Sequence, residues 1–435
     1  MCGACMHVAQ THAPQACANC VCISVMPTQI SNFMASLLVG RLVPAELADA
    51  SGMNLVDIHR HAYAHAILDA LLAAGAAPPD LVSKLPLLIH STTQVGSVHP
   101  YYCARWGFAP TCVVMPFTGD NPSTLTAFTW RSSDSDVVIS LGTSDTLMAL
   151  VRSTGGDAAR MESKSEDCVL MGHRFIQPIT TGCVTTDATA HMTLLCYQNG
   201  DFVRAAACRA LLSHPTASVG DSVHRAAVAT ALTSADWETF ADAVLEYSAR
   251  MSSACVDPCA ALPPLVFDMQ QPEITPTLPA RPPVAFVCEP DASRGCVRST
   301  PVSLLSAAQV AHGVLASRLL GMRAHAAASG LHAPTRCILT GGASRNRAIA
   351  QMVADVWGVP TFGAATGTTN AAAIGAALRA TMAVPACASA AAPSAMPLHA
   401  VAQPQCCAVR MYARMATLYE GAEAALRAGC GLPAS

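Results

Sequence analysis

Between Asp136 and Val151 the chain reads DVVISLGTSDTLMALV, two apolar runs separated by turn-forming residues that carry hydroxyls. Val137, Val138, Ile139 and Leu141 form a short run rich in β-branched residues, the pattern of a buried strand, and Leu147 to Val151 could be its partner. A plain hairpin does not need Gly-Thr-Ser-Asp-Thr at its tip. Backbone N–H groups and hydroxyls gathered at such a tip can hold an anion, and phosphate is the obvious one. The simpler reading, a turn with no ligand, stands beside it.

The rest of the chain alternates strand and helix patterns, which indicates an α/β architecture. The spacing predicts a helix from Ile30 to Arg41, with Ile30, Phe33, Met34, Leu37 and Leu38 on one face, and a second from Leu55 to Ala74. Cys112 to Phe117 reads as a strand ending in Gly119-Asp120-Asn121-Pro122. Cys255 to Pro283 reads as a proline-rich loop, and 303–329 as a helix dominated by Val310, Val314, Leu315, Leu319 and Leu320. In CILTGGASRNRAIAQMVADVWG, a strand from Cys337 to Thr340 turns at Gly341-Gly342. A helix then runs to Trp357, with Ile349, Met352, Val353 and Val356 as its stripe and Gly358 as its stop. Ala383 to Pro404 reads as a linker before a last helix, Met411 to Leu426.

With 435 residues, 52% hydrophobic and 12% charged, the chain is globular and long enough for two cores. A net charge of −3 and the lack of a basic, aromatic-studded stripe argue against nucleic acid as a partner. The expectation is no export signal and no membrane-spanning segment. The 20 cysteines then read as reduced thiols of a cytoplasmic protein.

Three further groups could carry chemistry. Asp120 and Asn121 follow a strand, where a carboxylate can take a proton from a substrate hydroxyl; the alternative is an Asx turn capping its own backbone. Thr340-Gly341-Gly342-Ala343-Ser344-Arg345-Asn346 lets a flat ligand or a phosphate approach the backbone. Its alternative is a β-to-α turn capped by Ser344 or Asn346. Cys2, Cys5, Cys17, Cys20 and Cys22, with His7 and His12, are of zinc-ligand type, but the central gap is short for a zinc ribbon. His61 and His65 would share a helix face. A Walker-type phosphate loop is excluded, because neither lysine, Lys84 nor Lys164, has the required glycine pattern.

In this order, YYCARWGFAPTCVVMPFTGDNPSTL, DVVISLGTSDTLMAL and LTGGASRNRAIAQMVADVWGVP resemble the FGGY family of carbohydrate kinases, and within it the eukaryotic-type xylulokinases. The likeness runs from about Ser31 to Arg379. It implies two actin-like (ribonuclease-H-like) α/β domains, with sugar mainly on the first, ATP mainly on the second and the active site in the cleft between them. It implies transfer of the ATP γ-phosphate, with Mg²⁺, to a sugar hydroxyl, D-xylulose above all. Asp120 matches the catalytic base and Asn121 a sugar contact. Gly142, Thr143 and Ser144 match a phosphate hairpin, Gly341, Gly342 and Asn346 the adenosine motif, and Trp237 a tryptophan near the nucleotide. No protein-side metal ligand is assigned.

The resemblance divides the chain into a Cys-rich tail without fixed structure (1–27), a remnant of the sugar-binding domain (28–132) and the nucleotide-binding domain (133–435, with the Ala/Pro-rich segment 383–404). The first domain is expected to be truncated, for no Asp-x-Gly-Thr string precedes Asp120. An incomplete gene model accounts for that most simply. A degenerate paralogue that binds nucleotide without kinase activity is the alternative, and a half that works with a partner is the third reading. A non-enzymatic ATP-binding protein of the same superfamily would have no need of Asp120-Asn121.

Overall fold

The structure, a computed structural model, describes residues 29–57, 60–129, 136–152, 175–178, 190–213, 231–254, 261–288, 297–331, 333–364, 370–382 and 396–429. The elements begin with α1 (Ile30–Val39), β1 (Ala45–Glu46), α2 (Leu47–Ser51), β2 (Val56–Asp57), β3 (Ala62–Tyr63), α3 (His65–Ala73), α4 (Leu81–Lys84), β4 (Leu88–Ile89), β5 (Gly96–Ser97), α5 (Pro100–Trp106), β6 (Val113–Val114) and α6 (Asp120–Thr129). They continue with β7 (Asp136–Leu141), β8 (Asp145–Arg152), β9 (Phe175–Pro178), β10 (Ala190–Tyr197), α7 (Asp201–Ser213), α8 (Ser234–Ala254), β11 (Leu265–Met269), β12 (Arg281–Cys288) and β13 (Val297–Thr300). Last come α9 (Ala307–Ala328), β14 (Arg336–Thr340), α10 (Arg347–Trp357), β15 (Thr361–Ala364), α11 (Ala371–Met382), β16 (Leu398–Ala402) and α12 (Cys406–Arg427).

Two compact units emerge. One comprises Met1–Ala127, Gln177–Thr186 and Ala372–Pro393, the other Phe128–Ile176, Asp187–Ala371 and Ser394–Ser435.

The second unit is built on a sheet of order β16-β15-β14-β7-β8-β10-β9. Its centre is the parallel pair β7 and β14, where Val137, Val138, Ile139, Cys337, Ile338 and Leu339 are all buried. Such unbroken apolar runs are what a parallel pair covered on both faces requires. The first residues of the pair are aligned by a bidentate ion pair, Arg336 Nε and Nη2 donating to the Asp136 carboxylate at 2.8 and 2.7 Å. β7 and β8 form the expected hairpin, Leu141 opposite Asp145, with Gly142 to Ser144 at its tip. The long α9 is buried on most sides, including Val310, Val314, Leu315, Leu319 and Leu320. α10 buries Ile349, Met352, Val353 and Val356 and ends at Gly358 in the left-handed conformation, as its stripe and stop predict.

In the first unit a small core gathers Ala35, Val43, Val95, Val98 and Val114. Here the sequence patterns mislead. α1 forms where expected, yet Ile30, Phe33, Met34 and Leu37 are exposed at 43–63% while Asn32, Ala35 and Ser36 face inward. Asn32 is held there by donating to the carbonyls of Val43 and Pro44, so the inward face is the polar and small one rather than the apolar stripe.

The predicted helix from Leu55 starts instead as the hairpin β2/β3, and His61, at φ 52°, lies outside any helix and shares no face with His65. The strand predicted over Cys112 to Phe117 is confined to β6, and the predicted loop over 255–283 contains β11 and the start of β12. Within the Ala/Pro-rich segment, Leu398–Ala402 is the edge strand β16. The last helix begins earlier than predicted, at Cys406. The zinc-type residues Cys2, Cys5, His7, His12, Cys17, Cys20 and Cys22 lie outside the described residues. No helix among the described residues is long and apolar enough to cross a membrane.

Candidate functional site

In the first unit, Asp120 opens α6 and is exposed. Its Oδ1 accepts the N–H of the next residue, Asn121, at 2.8 Å, which holds the carboxylate against the backbone at the helix start. The loop before it is tied down by Glu46, only 3% exposed. Glu46 Oε2 accepts the Thr118 hydroxyl at 2.8 Å and the Asp49 N–H at 2.9 Å, and Oε1 pairs with Arg379 Nη2 of α11 at 3.1 Å. One buried carboxylate thus joins the Asp120 loop, the start of α2 and α11.

Asp49 is the neighbour that matters most. A Cβ placed on Gly119 would stand 2.8 Å from Asp49 Oδ1, so Asp49 packs directly on the residue preceding Asp120. Its carboxylate accepts the Ser31 hydroxyl, and its carbonyl accepts Gln29 Nε2 at 2.8 Å. Burial pushes its pKa up from the usual carboxylate value to about 6; the Ser31 contact opposes this, and the charges of Glu46 and Asp120 add to it. A raised folded pKa means that the protonated form is favoured on folding. Stability from this group is therefore present below the ordinary aspartate pKa, falls as the pH rises towards 6, and stays low above it. Asp49→Asn is accordingly expected to be more stable than the parent chain at pH 7.5 by at most about 3 kcal/mol, a gain that shrinks to nothing near pH 4. Urea unfolding of both chains across that range is the check, and an equal difference at both ends would contradict it.

The second unit brings two glycine turns together. β7 and β14 run side by side, Ser140 opposite Thr340, so their turns emerge at the same end of the sheet. Gly341 has φ +86°, and a Cβ there would lie 2.4 Å from the Leu141 carbonyl oxygen; only glycine lets the two strand ends come this close. Thr143, Ser144, Gly341 and Gly342 are exposed. Ligands of open α/β sheets bind at such strand ends.

Asn346 performs the ordinary task foreseen for it, its Oδ1 capping α10 by accepting the Ala348 and Ile349 N–H groups at 3.0 and 3.2 Å. It also does something the sequence did not announce: Nδ2 donates to the Trp237 carbonyl at 3.3 Å, fixing the start of α8 against the glycine turn. Trp237 is half-buried and packs edge-on against Phe240. Ser344 closes the turn itself by donating to the Gly341 carbonyl at 2.7 Å. Behind the hairpin, a cavity of about 60 Å³ is lined by Tyr197, Asn199, Arg204, Glu273 and Arg318.

The structure therefore collects Gly142, Thr143, Ser144, Gly341, Gly342, Asn346 and Trp237 in one unit and places Asp120 and Asn121 in the other. Sequence reasoning missed Glu46, Asp49 and Arg379. Glu46 and Asp49 stand in a stretch that no sequence pattern singles out, and Arg379 lies too far along the chain for any local pattern to connect it.

Residues 223–384 match the FGGY family of carbohydrate kinases, C-terminal domain. A xylulose kinase of Rattus norvegicus is 30% identical over 373 residues, which is 84% of this chain and 55% of the rat protein. The chain carries an FGGY-family C-terminal domain. A probable D-xylulose kinase A of Aspergillus terreus is likewise 30% identical to this chain, over 76% of it and 51% of the fungal protein. The chain thus spans about half the length of the curated relatives it matches.

Among solved structures, a ligand-bound xylulose kinase of Lactobacillus acidophilus superposes with a TM-score of 0.63 at 16% identity, over 93% of this chain and 68% of that one. Gluconate kinase of the same organism gives 0.64 at 14%, with the same coverage. At such identities the likeness speaks for the fold, which is the α/β actin-like fold expected of FGGY kinases.

Proposed function

We propose that this chain carries the donor and acceptor machinery of an ATP-dependent sugar kinase, acting on D-xylulose to give D-xylulose 5-phosphate. The observation that carries the reading is the pair of turns Gly142-Thr143-Ser144 and Gly341-Gly342, held together by the contact between Gly341 and Leu141. A cradle a methyl group would block, beside exposed hydroxyls and turn N–H groups, suits the phosphates of a nucleotide. Asn346 and Trp237 are proposed to flank the adenosine, and Asn121 to contact the sugar.

In the reaction the sugar hydroxyl oxygen bonds to the γ-phosphorus, the bond from that phosphorus to the bridging oxygen breaks, and ADP leaves. The hydroxyl proton passes to the Asp120 carboxylate. Little else is asked of the protein beyond holding the reactants in line and balancing charge. Among the described residues no group of three or more His, Cys, Asp or Glu is arranged to hold a metal ion. Mg²⁺ would enter with the nucleotide, as the counter-ion of its phosphates. The reading carries with it a cytoplasmic location and neither nucleic acid nor membrane as partner.

The test is ADP release by the purified chain with Mg·ATP, with and without D-xylulose, beside calorimetric binding of Mg·ADP. Release that depends on D-xylulose supports the reading. Binding of Mg·ADP without release by any sugar assigns the chain to the nucleotide-binding, non-phosphorylating alternative.

A further inference from the structure

Beneath the hairpin tip lies a clamp that the proposed roles do not use. Asp145, the first residue of β8, is fully buried, and its carboxylate receives both oxygens' hydrogen bonds from Arg204 Nη1 of α7, at 2.9 and 2.7 Å. The same guanidinium donates through Nη2 to the Gly142 carbonyl at 2.8 Å. The Asp201 N–H, at the start of α7, donates to the Gly142 and Thr143 carbonyls at 3.0 and 3.3 Å. Gly200 makes this approach possible: a Cβ there would lie 2.6 Å from the Thr143 oxygen and 2.8 Å from the Gly142 oxygen. Arg318 supports the clamp from the side, 3.7 Å from Asp145 and bonded to Glu273 at 2.8 Å. Two arginines thus face two carboxylates, and the clamp brings no surplus charge of its own.

The direction of these bonds decides what the tip displays. In a trans peptide the N–H points opposite to the carbonyl of the same plane. Drawing the Gly142 and Thr143 carbonyls inward therefore turns the Thr143 and Ser144 N–H groups outward, beside the exposed hydroxyls of those two residues. We infer that Arg204 is a positioning residue for phosphate: through Asp145 and the Gly142 carbonyl it sets the backbone of the hairpin so that two N–H donors face the anion. This rests on the nucleotide reading above, and it adds a residue that touches no ligand but determines the shape of the site that does.

The test compares the parent chain, Arg204→Met and Arg204→Lys for calorimetric binding of Mg·ADP and of adenosine, which has no phosphate. The expected result is a loss of about 10-fold or more for Mg·ADP in Arg204→Met, adenosine affinity unchanged, and an intermediate value in Arg204→Lys, which keeps the charge and loses the two-pronged geometry. Lysine also secures the answer should the methionine variant not fold. A folded variant binding both ligands as the parent does would overturn the inference. So would an equal loss for both ligands, the signature of a merely structural role. If the parent chain itself bound no Mg·ADP, it is the nucleotide reading that would fall.

Discussion

Asp120→Asn is expected to lower D-xylulose-dependent ADP release by about 10²–10⁴-fold, the usual contribution of a positioned general base. The substitution is nearly isosteric, and the side-chain oxygen can still accept the Asn121 N–H that fixes the turn. What is lost is the capacity to take a proton. The fall should therefore appear in kcat, with Mg·ADP binding and the unfolding midpoint close to those of the parent. Parent-like turnover in the Asn variant would remove Asp120 from the role of base. The neighbouring carboxylate Asp49, held by Ser31 and packed on Gly119, would then be the next to substitute.

Gly375→Ala should act on the same site from a distance. A methyl group at Gly375 of α11 would stand 1.7 Å from the Ser123 carbonyl oxygen, 2.6 Å from its carbon and 3.1 Å from the Ala127 nitrogen of α6. These are backbone atoms, so no rotamer change relieves the clash, and the two helices must move apart. Overpacking of this kind costs about 3 kcal/mol, at the upper end of its usual range. The displacement would shift α6, whose first residue is Asp120, and draw Arg379 of α11 away from Glu46. A misplacement of about 1 Å at a reacting group can cost on the order of 10²-fold in rate. Urea unfolding and ADP release on the same preparation measure both effects. A variant with parent stability and turnover would show that α6 and α11 need not touch.

What could be read from the residues alone follows the reach of the interactions involved. The hairpin of β7 and β8, the strand–glycine–helix run around Gly341 and the Gly358 stop are local: apolar period and turn chemistry suffice to place them. α1 misled because its inward face is polar, and the partners of Asn32, the carbonyls of Val43 and Pro44, are invisible to a hydrophobic pattern. The hairpin that replaces the start of the helix expected after Leu55 was hidden because the alanines and apolar spacing of that stretch favour a helix, and only the left-handed turn at His61 interrupts it before α3 begins. Asp120 could be singled out from its place after a strand, but not the carboxylate network beneath it. Glu46 and Arg379 lie 333 residues apart, and only the fold makes them a pair. The Arg204 clamp escaped notice for a related reason: an arginine inside an amphipathic helix reads as a solvated charge until its buried carboxylate is seen.

The ion pair between Asp136 and Arg336 also bears on the order in which the molecule can be assembled. The two residues are 200 positions apart, and bringing them together closes a loop whose entropy cost is about 5 kcal/mol. On a ribosome, β7 and its hairpin leave the exit tunnel long before β14 exists, and for that time the buried face of β7 has no parallel neighbour. The two turns become neighbours only when the later strand docks. Synthesis that stops between α9 and β14 would release a hairpin with its clamp to α7 available but without the glycine that completes the cradle. Its apolar strand edge would be open to pairing with another chain.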